Sequence, residues 1–428
     1  MKVLKSDAIS AFGGINFVFE QLNKLGISQT LASHLPLLGK SSRYSWSDIF
    51  NSLLSVYFCG GDCIEDLQTH LRPHFNANPF VDLPSSDTVL RRLSQLSNPE
   101  QHCYTRRGSV KHRYSVNDCL LRLNMAVLKK INQPEADCLT LDYDNTILFN
   151  EKEDSQMTYK RNPGYQPGVS MINSRYVLAI ENRGGNSDAK SFQDQTLKRV
   201  FDEMEKQGLP KVTNFRADAA SYQYEVIQLV EQYTNYFYIG CRNSYVEKYF
   251  KEVKKWSRLK DNDPMEVGEI TIRPFKKEYK NGKPPTSYRL IVKRTPCPSK
   301  QLNLITQDAY QYRAILTNNQ ALTAQQVALF YNQRGMMEKQ FGILKNDFGW
   351  QKLPFSSLHK NTVFLYLTAI ISNLYNYLVT LFSKKVKGLK PTHRIKRFIF
   401  TLIIIPAKWI KHGRQNQLRL YSPISFKT

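Results

Sequence analysis

Acid is scarce in this sequence. Its 428 residues carry 60 Lys and Arg against 36 Asp and Glu, a formal net charge of +24 with a pI near 9.6, so a basic partner is disfavoured and a polyanionic one expected. Cysteine is sparse and unclustered. The seven residues Cys59, Cys63, Cys103, Cys119, Cys138, Cys241 and Cys297 do not form a disulfide framework and suit a reducing cytosol. Apolar runs are short where they are unbroken: a late one, FIFTLIII at 398–405, stops at Pro406. It falls well short of the roughly 20 residues of a spanning helix and reads as a buried strand. The opening MKVLKSDAISAFGG holds no apolar core of secretory-signal length, so a cytoplasmic protein without membrane association is expected. No internal repeat is present.

A zinc site is excluded on spacing. Cys59, Cys63, His70 and His74 are separated by gaps of three, six and three residues, whereas fingers with this ligand set place about 12 residues between the pairs. CGGDCIEDLQTHLRPH reads instead as a turn running into a helix. What the chain has in abundance is length and positive charge. A chain of this size exceeds what one core usually serves, so two or three structural units are expected. Among polyanions nucleic acid is the commonest partner; an anionic membrane surface is the competitor.

Residues 1–115 read as mainly helical. SSDTVLRRLSQLS at 85–97 opens on Ser and Asp capping candidates, sets Val89, Leu90, Leu93 and Leu96 on one face and leaves Arg91 and Arg92 outside. A short helix with exposed arginines suits a DNA-reading element as well as an ordinary surface helix. TRRGSVKHR at 105–113 adds a basic connector. From 116 to 241 the rhythm becomes strand, strand, helix, strand, helix, strand, a mixed α/β sheet. In CLTLDYDNTILFN (138–150) Leu139 and Leu141 alternate with Thr140, Asp142 and Asp144. KVTNFRAD likewise ends on Asp218. Residues 242–310 carry short β-like pieces between polar turns and read as a β-rich insertion. Residues 311–380 return to helices, and 381–428 form a basic C-terminal region whose SKKVKGLKPTHRIKR tract (383–397) has the composition of a phosphate-contacting segment.

YNQRGMMEKQFGILK at 331–345 predicts one amphipathic helix. At about 100° per residue, Arg334, Glu338 and Lys345 fall within roughly 60° of Tyr331, flanked by the apolar Phe330, Met337, Phe341 and Leu344. An acid between two bases at the edge of a buried face is compatible with a plain helical ion pair at spacing four. It also supplies a third carboxylate to the two at strand ends. Asp144, Asp218 and Glu338 would suit magnesium, which prefers hard oxygen ligands, and paired ions of this kind assist phosphodiester displacement. Three unlinked acids do not by themselves define a site.

The spacing Y-x2-R-x3-E-x6-K of Tyr331, Arg334, Glu338 and Lys345 resembles the signature of DDE transposases from bacterial insertion sequences. Asp144-Asn145-Thr146 resembles that family's first-acid element and Arg216-Ala217-Asp218 the second. The stretch between Asp218 and Glu338 resembles the branch in which a β-strand domain interrupts a ribonuclease-H-like fold. GGDCIEDLQTHL and SSDTVLRRL resemble the N-terminal region of one insertion-sequence group. The resemblance implies an α/β ribonuclease-H-like core preceded by a helical DNA-binding region. It implies Asp144, Asp218 and Glu338 as catalytic metal ligands for Mg2+, with Mn2+ as substitute, and Tyr331, Arg334 and Lys345 as grips on the DNA end. One departure is Asn145, where related elements often carry Ser or Thr; Thr146 remains.

Asp142 and Asp144 share a strand face with backbones nearly 7 Å apart. Asp144 is the more terminal, which makes it the expected ligand, with Asp142 expected to orient a ligand or a bound water. The implied activity is binding of terminal inverted repeats in double-stranded DNA, metal-dependent strand cleavage, and transfer into target DNA by a homodimer assembled on DNA. The rival readings are a ribonuclease-H-like nuclease that cuts without joining and an inactive DNA-binding regulator.

Overall fold

The computed structural model describes residues 9–104, 111–133, 138–276, 285–299, 301–303 and 305–422. Eleven strands form one mixed sheet. The first seven are β1 (Gln101–Tyr104), β2 (Lys111–Ser115), β3 (Thr140–Asn145), β4 (Gly168–Ile172), β5 (Tyr176–Arg183), β6 (Val212–Ala217) and β7 (Thr234–Cys241). There follow β8 (Ser257–Arg258), β9 (Glu266–Ile272), β10 (Tyr288–Pro296) and β11 (Tyr310–Thr317). Across the sheet the order is β1-β2-β5-β4-β3-β6-β7-β11-β10-β9-β8. Helices α1 (Ile15–Lys24), α2 (Ile27–His34), α3 (Trp46–Phe58) and α4 (Ser86–Gln95) belong to the N-terminal part, and α5 (Asp118–Lys130) follows β2. The remainder carries α6 (Gln193–Lys206), α7 (Tyr224–Tyr233), α8 (Ala324–Asn332), α9 (Gly335–Asp347) and α10 (Leu358–Ser383).

TLDYDN forms β3, an interior strand of the sheet. It runs antiparallel to β4 and parallel to β6, which is parallel in turn to β7. Parallel neighbours need long crossovers, and α6 and α7 lead into β6 and β7 respectively. Flanked on both sides, β3 is buried from Thr140 to Tyr143 and emerges only at Asp144 and Asn145. The mixed α/β core expected from the sequence is therefore present, with Asp144 and Asp218 at strand ends.

Four local expectations change. VSMINSRYVLAIENR is a hairpin of β4 and β5, because Asn173 and Ser174 both take φ of 52°, the left-handed pair that closes a two-residue turn. The N-terminal part is helical only as far as α4; β1 and β2 then form a hairpin whose second strand pairs with β5. Residues 105–110 of the basic connector lie outside the described residues. FIFTLIII is not a strand. An α-helical turn, Ile395–Phe398, continues into a π-helical one, Ile399–Ile403, burying Phe398, Ile399, Leu402 and Ile403 and leaving Phe400 75% exposed, a one-sided pattern that helical packing dictates. The β-rich stretch 242–310 does not stand apart, since β11 bonds to β7 and β10 to β11. Its strands thus cover an edge that would otherwise be open.

Helix α10 is long and apolar enough to cross a membrane, yet 89% of its most apolar window is buried within the protein. It packs on β5, where the β4/β5 register slips between Ser170 and Met171. Such a bulge leaves backbone groups without ladder partners. Two buried asparagines take them up. Asn373 Oδ1 accepts the Val177 N–H (2.9 Å) and its Nδ2 donates to the Val177 carbonyl (2.8 Å) and to Asn124 Oδ1 (3.0 Å). Asn124 Nδ2 donates to the carbonyls of Val177 and Leu178 (2.8 and 2.9 Å). Tyr366 of α10 accepts the Ile180 N–H at 3.0 Å. Asn373→Leu should lower the unfolding free energy by about 1–3 kcal/mol for each buried group left unpaired. Chemical denaturation measures it, and an unchanged midpoint would contradict the role given to this side chain.

Candidate active site

The register of β3 and β6 pairs Tyr143 with Ala217, so Asp144 and Asp218 come next at the same level on adjacent strands, about 4.8 Å apart. Asp218 ends its strand by capping the short turn Ala219–Ser221, its Oδ1 accepting the Ala220 N–H at 2.9 Å. Asp144 accepts its neighbour Asn145 N–H (2.9 Å) through Oδ1 and the Arg334 Nη1 (2.7 Å) through Oδ2. Burial pushes the Asp144 carboxyl up to about 6, the Arg334 guanidinium opposing and the Asp218 charge assisting the rise. Two carboxylates facing each other at partly buried strand ends are electrostatically unfavourable without a cation.

Asp142 lies one pleat back on the same strand. It is fully buried and forms a two-pronged pair with Arg216, Nε to Oδ1 at 2.7 Å and Nη2 to Oδ2 at 3.0 Å, with Ser174 Oγ donating to Oδ2 at 2.7 Å. Arg216 then reaches out of the sheet. Its Nη1 donates to the Phe330 carbonyl at 2.8 Å, and its guanidinium lies 4.6 Å from the Phe330 ring centre. In an uninterrupted α-helix that carbonyl would accept from the N–H of Arg334. Instead the Arg334 N–H turns to the Tyr331 carbonyl at 2.9 Å. The single helix expected over 331–345 is consequently two, α8 and α9. Helix α8 opens on a capping box in which Thr323 and Gln326 bond reciprocally. The Asp142–Arg216 pair therefore anchors the joint between these helices to the sheet.

At the joint, the Tyr331 hydroxyl donates to the Ala217 carbonyl at 3.3 Å. It sits over Gly240, where any Cβ would collide with it. Burial pushes this phenol up to about 12. Arg334, 16% exposed, spans two acids: Asp144 at 2.7 Å and Glu338 at 3.5 Å. Glu338 is 69% exposed, further out than the edge-of-core position its wheel suggests. Lys345 is half-buried, and burial together with the neighbouring Lys160 lowers its ammonium.

The arrangement thus brings Asp144, Asp218, Tyr331 and Arg334 together and places Glu338 beyond Arg334. Among the described residues no three His, Cys, Asp or Glu side chains close into a metal-binding group. The donor chemistry nevertheless fits a divalent ion: hard carboxylate oxygens on neighbouring strand ends, with a cationic guanidinium already drawn between two of the three acids. Other expected residues lie elsewhere. Arg91 is exposed on α4, whereas Arg92 is tied to Ser42 Oγ (2.6 Å) and Gln95 Oε1 (3.0 Å). Thr146 is buried, its N–H bonded to the Pro167 carbonyl. Sequence reasoning assigned no role to Gly240 or to the Arg216 side chain; the adjacency of an arginine to a strand-end acid in RAD was the available signal for the latter.

Removing one partner of a buried pair strands the other charge. Asp142→Asn or Arg216→Met should each destabilise the fold by about 3–5 kcal/mol, read by urea denaturation. The double variant Asp142→Leu with Arg216→Met should lose less than the sum of the single changes. Additive losses would show that the two side chains are not coupled.

Comparison with known proteins supplies the family. No curated protein shows significant similarity to the chain. Solved structures that resemble it include a piggyBac transposase synaptic complex with hairpin DNA, at 13% sequence identity and a TM-score of 0.42, with 88% of this chain and 74% of that one covered. Residues 4–428 match the family described as transposase DDE domain group 1, whose members generally use divalent metal ions. With a family match across nearly its whole length, the chain belongs to the DDE transposases and is an enzyme that acts on DNA, a DNA transposase.

Proposed function

We propose that Asp144, Asp218 and Glu338 are the catalytic carboxylates, and that the enzyme binds the terminal inverted repeats of its own element, cuts the strand there and joins the freed end to target DNA. The observation that carries this is the pair of strand-end acids at one level, faced by a helix joint that bears Arg334 and Glu338. Magnesium, with manganese as substitute, is the cofactor proposed for these hard ligands. When bound it would help to ionise the attacking oxygen and neutralise the leaving one.

The remaining residues bind and position DNA. Arg334 neutralises Asp144 and Glu338 in this structure. Its planar fork is also the group at this joint that would suit a backbone phosphate. Tyr331, fixed against Ala217 and Gly240, sets the height of the joint above the strand ends. Lys345, half-buried beside a like charge, gains most by meeting a phosphate. Arg91 and the exposed Lys384, Lys385, Lys387, Lys390, Lys396 and Arg397 contact phosphates further along the duplex, which positions it without reading sequence. Arg394 is occupied instead by Asp347, at 2.7 and 2.9 Å. Two ends have to be brought together, so a homodimer assembled on DNA is proposed.

Asp144→Asn, Asp218→Asn and Glu338→Gln should each abolish metal-dependent cleavage of terminal-repeat DNA while the protein still shifts that DNA in a gel. Cutting retained in any of the three would remove that residue from the site. Gly240→Ala tests the joint: a Cβ there displaces Tyr331, and a shift of about 1 Å near reacting groups lowers the rate by about 100-fold. Single-turnover cleavage within threefold of wild type would show that Tyr331 does not set the site's geometry.

A further inference from the structure

The sheet carries a second charged feature at the same end as the acids. Asp218 is level with Gly240, which pairs with Ile315, and Ile315 pairs with Ile291 of β10. One pleat further towards the open end, on the same face, Lys293 of β10 stands directly opposite Arg313 of β11. Helix α8 packs on this face, where Val327 closes over Ile291 and Ile315. Like charges directly opposed across two strands are destabilising, and Lys293 is only 7% exposed. Among the described residues neither cation forms an ion pair with a carboxylate. Lys293 Nζ gives one N–H to Asn332 Oδ1 at 2.8 Å and lies 5.7 Å from the centre of the Tyr331 ring, so it stands on the joint that carries Tyr331 and Arg334. Burial and the Arg313 charge lower its ammonium to about 8. Stability alone favours a neutral side chain here.

We propose that Lys293 and Arg313 form a binding site for one phosphodiester of the DNA strand that enters the active site. A phosphate between them turns mutual repulsion into two charge-assisted hydrogen bonds, and the ammonium has N–H groups beyond the one given to Asn332. Lys293 is three strand spacings across and two residues along from Asp218, roughly 16 Å in all. With about 3.4 Å of axis per nucleotide, the phosphate it holds belongs to a nucleotide a few positions from the cut. Through Asn332 and Tyr331 the bound strand is then registered against the helix joint, which makes Lys293 a positioning residue. The inference rests on the proposal that this face receives DNA for cleavage.

The test is binding of the full-length protein to a terminal-repeat duplex and to a random duplex by fluorescence anisotropy, across a series of salt concentrations, for wild type, Lys293→Met, Lys293→Arg and Arg313→Gln. Lys206→Met, an exposed lysine at the far end of α6, is the control. Lys293→Met and Arg313→Gln should each reduce the slope of log K against log salt by about 1, on both duplexes, while Lys293→Arg restores it and Lys206→Met leaves it unchanged. Thermal melting of Lys293→Met should be at or above wild type, because the opposed charges are gone. A wild-type slope in Lys293→Met together with a lowered melting temperature would overturn the proposal and make Lys293 a structural residue. Absence of a wild-type preference for the repeat would count against terminal-repeat recognition only, since the slopes on random DNA still decide whether this phosphate site exists.

Discussion

The pairing of Asp142 with Arg216 is the constraint from which the site's geometry follows. It is an ion pair with no exposure at the carboxylate and 3% at the guanidinium, linking β3 to β6 where both carry a catalytic candidate two residues on. Because Arg216 also takes the Phe330 carbonyl, the pair reaches through the sheet face into the helices above. One interaction therefore sets the level of two strand ends and the place where α8 gives way to α9. Buried ion pairs are poor sources of stability, since desolvation offsets most of their attraction. Their value here is geometric.

Charge is arranged around this anchor in alternating layers. The buried Asp142–Arg216 pair lies beneath the acids Asp144 and Asp218; Arg334 covers Asp144, and Glu338 lies beyond it in solvent. To the side, Lys293 and Arg313 stand directly opposite each other across two strands. Each layer is locally unbalanced in charge: Asp144 and Asp218 share the one guanidinium of Arg334 with Glu338, and Lys293 and Arg313 have no carboxylate partner among the described residues. The fold tolerates these imbalances because the sheet beneath is closed on both sides by packed helices and satisfied at its bulge by Asn124 and Asn373.

Much of this was legible in the sequence, for physical reasons that differ from residue to residue. The period-two pattern of LDYDN placed Asp144 at the emerging end of a buried strand, and KVTNFRAD, read as a strand, ended on Asp218. Tyr331, Arg334 and Glu338 were readable from spacing because they lie within one turn of the helix joint. The break in that helix was not readable: it is caused by a side chain 114 residues away, and local periodicity carries no trace of it. The same holds for Arg92, which looks free on its helix but bonds to Ser42 across 50 residues. The seven apolar residues and one Thr of FIFTLIII carry no alternation, so their strand-like composition misled where a helical turn packs on one side. The β-rich stretch 242–310 was recognisable as strands, but nothing local to it shows that these strands extend the central sheet.

The central claim is that Asp144, Asp218 and Glu338 converge on divalent cations to cut DNA. Its most direct test is electron paramagnetic resonance of Mn2+ titrated into the full-length protein bound to terminal-repeat DNA, comparing wild type with Asp144→Asn, Asp218→Asn and Glu338→Gln. Saturable Mn2+ binding in the wild type that is lost or weakened at least tenfold in each variant, with DNA still bound, is the predicted result. Equal Mn2+ binding by wild type and all three variants would contradict it.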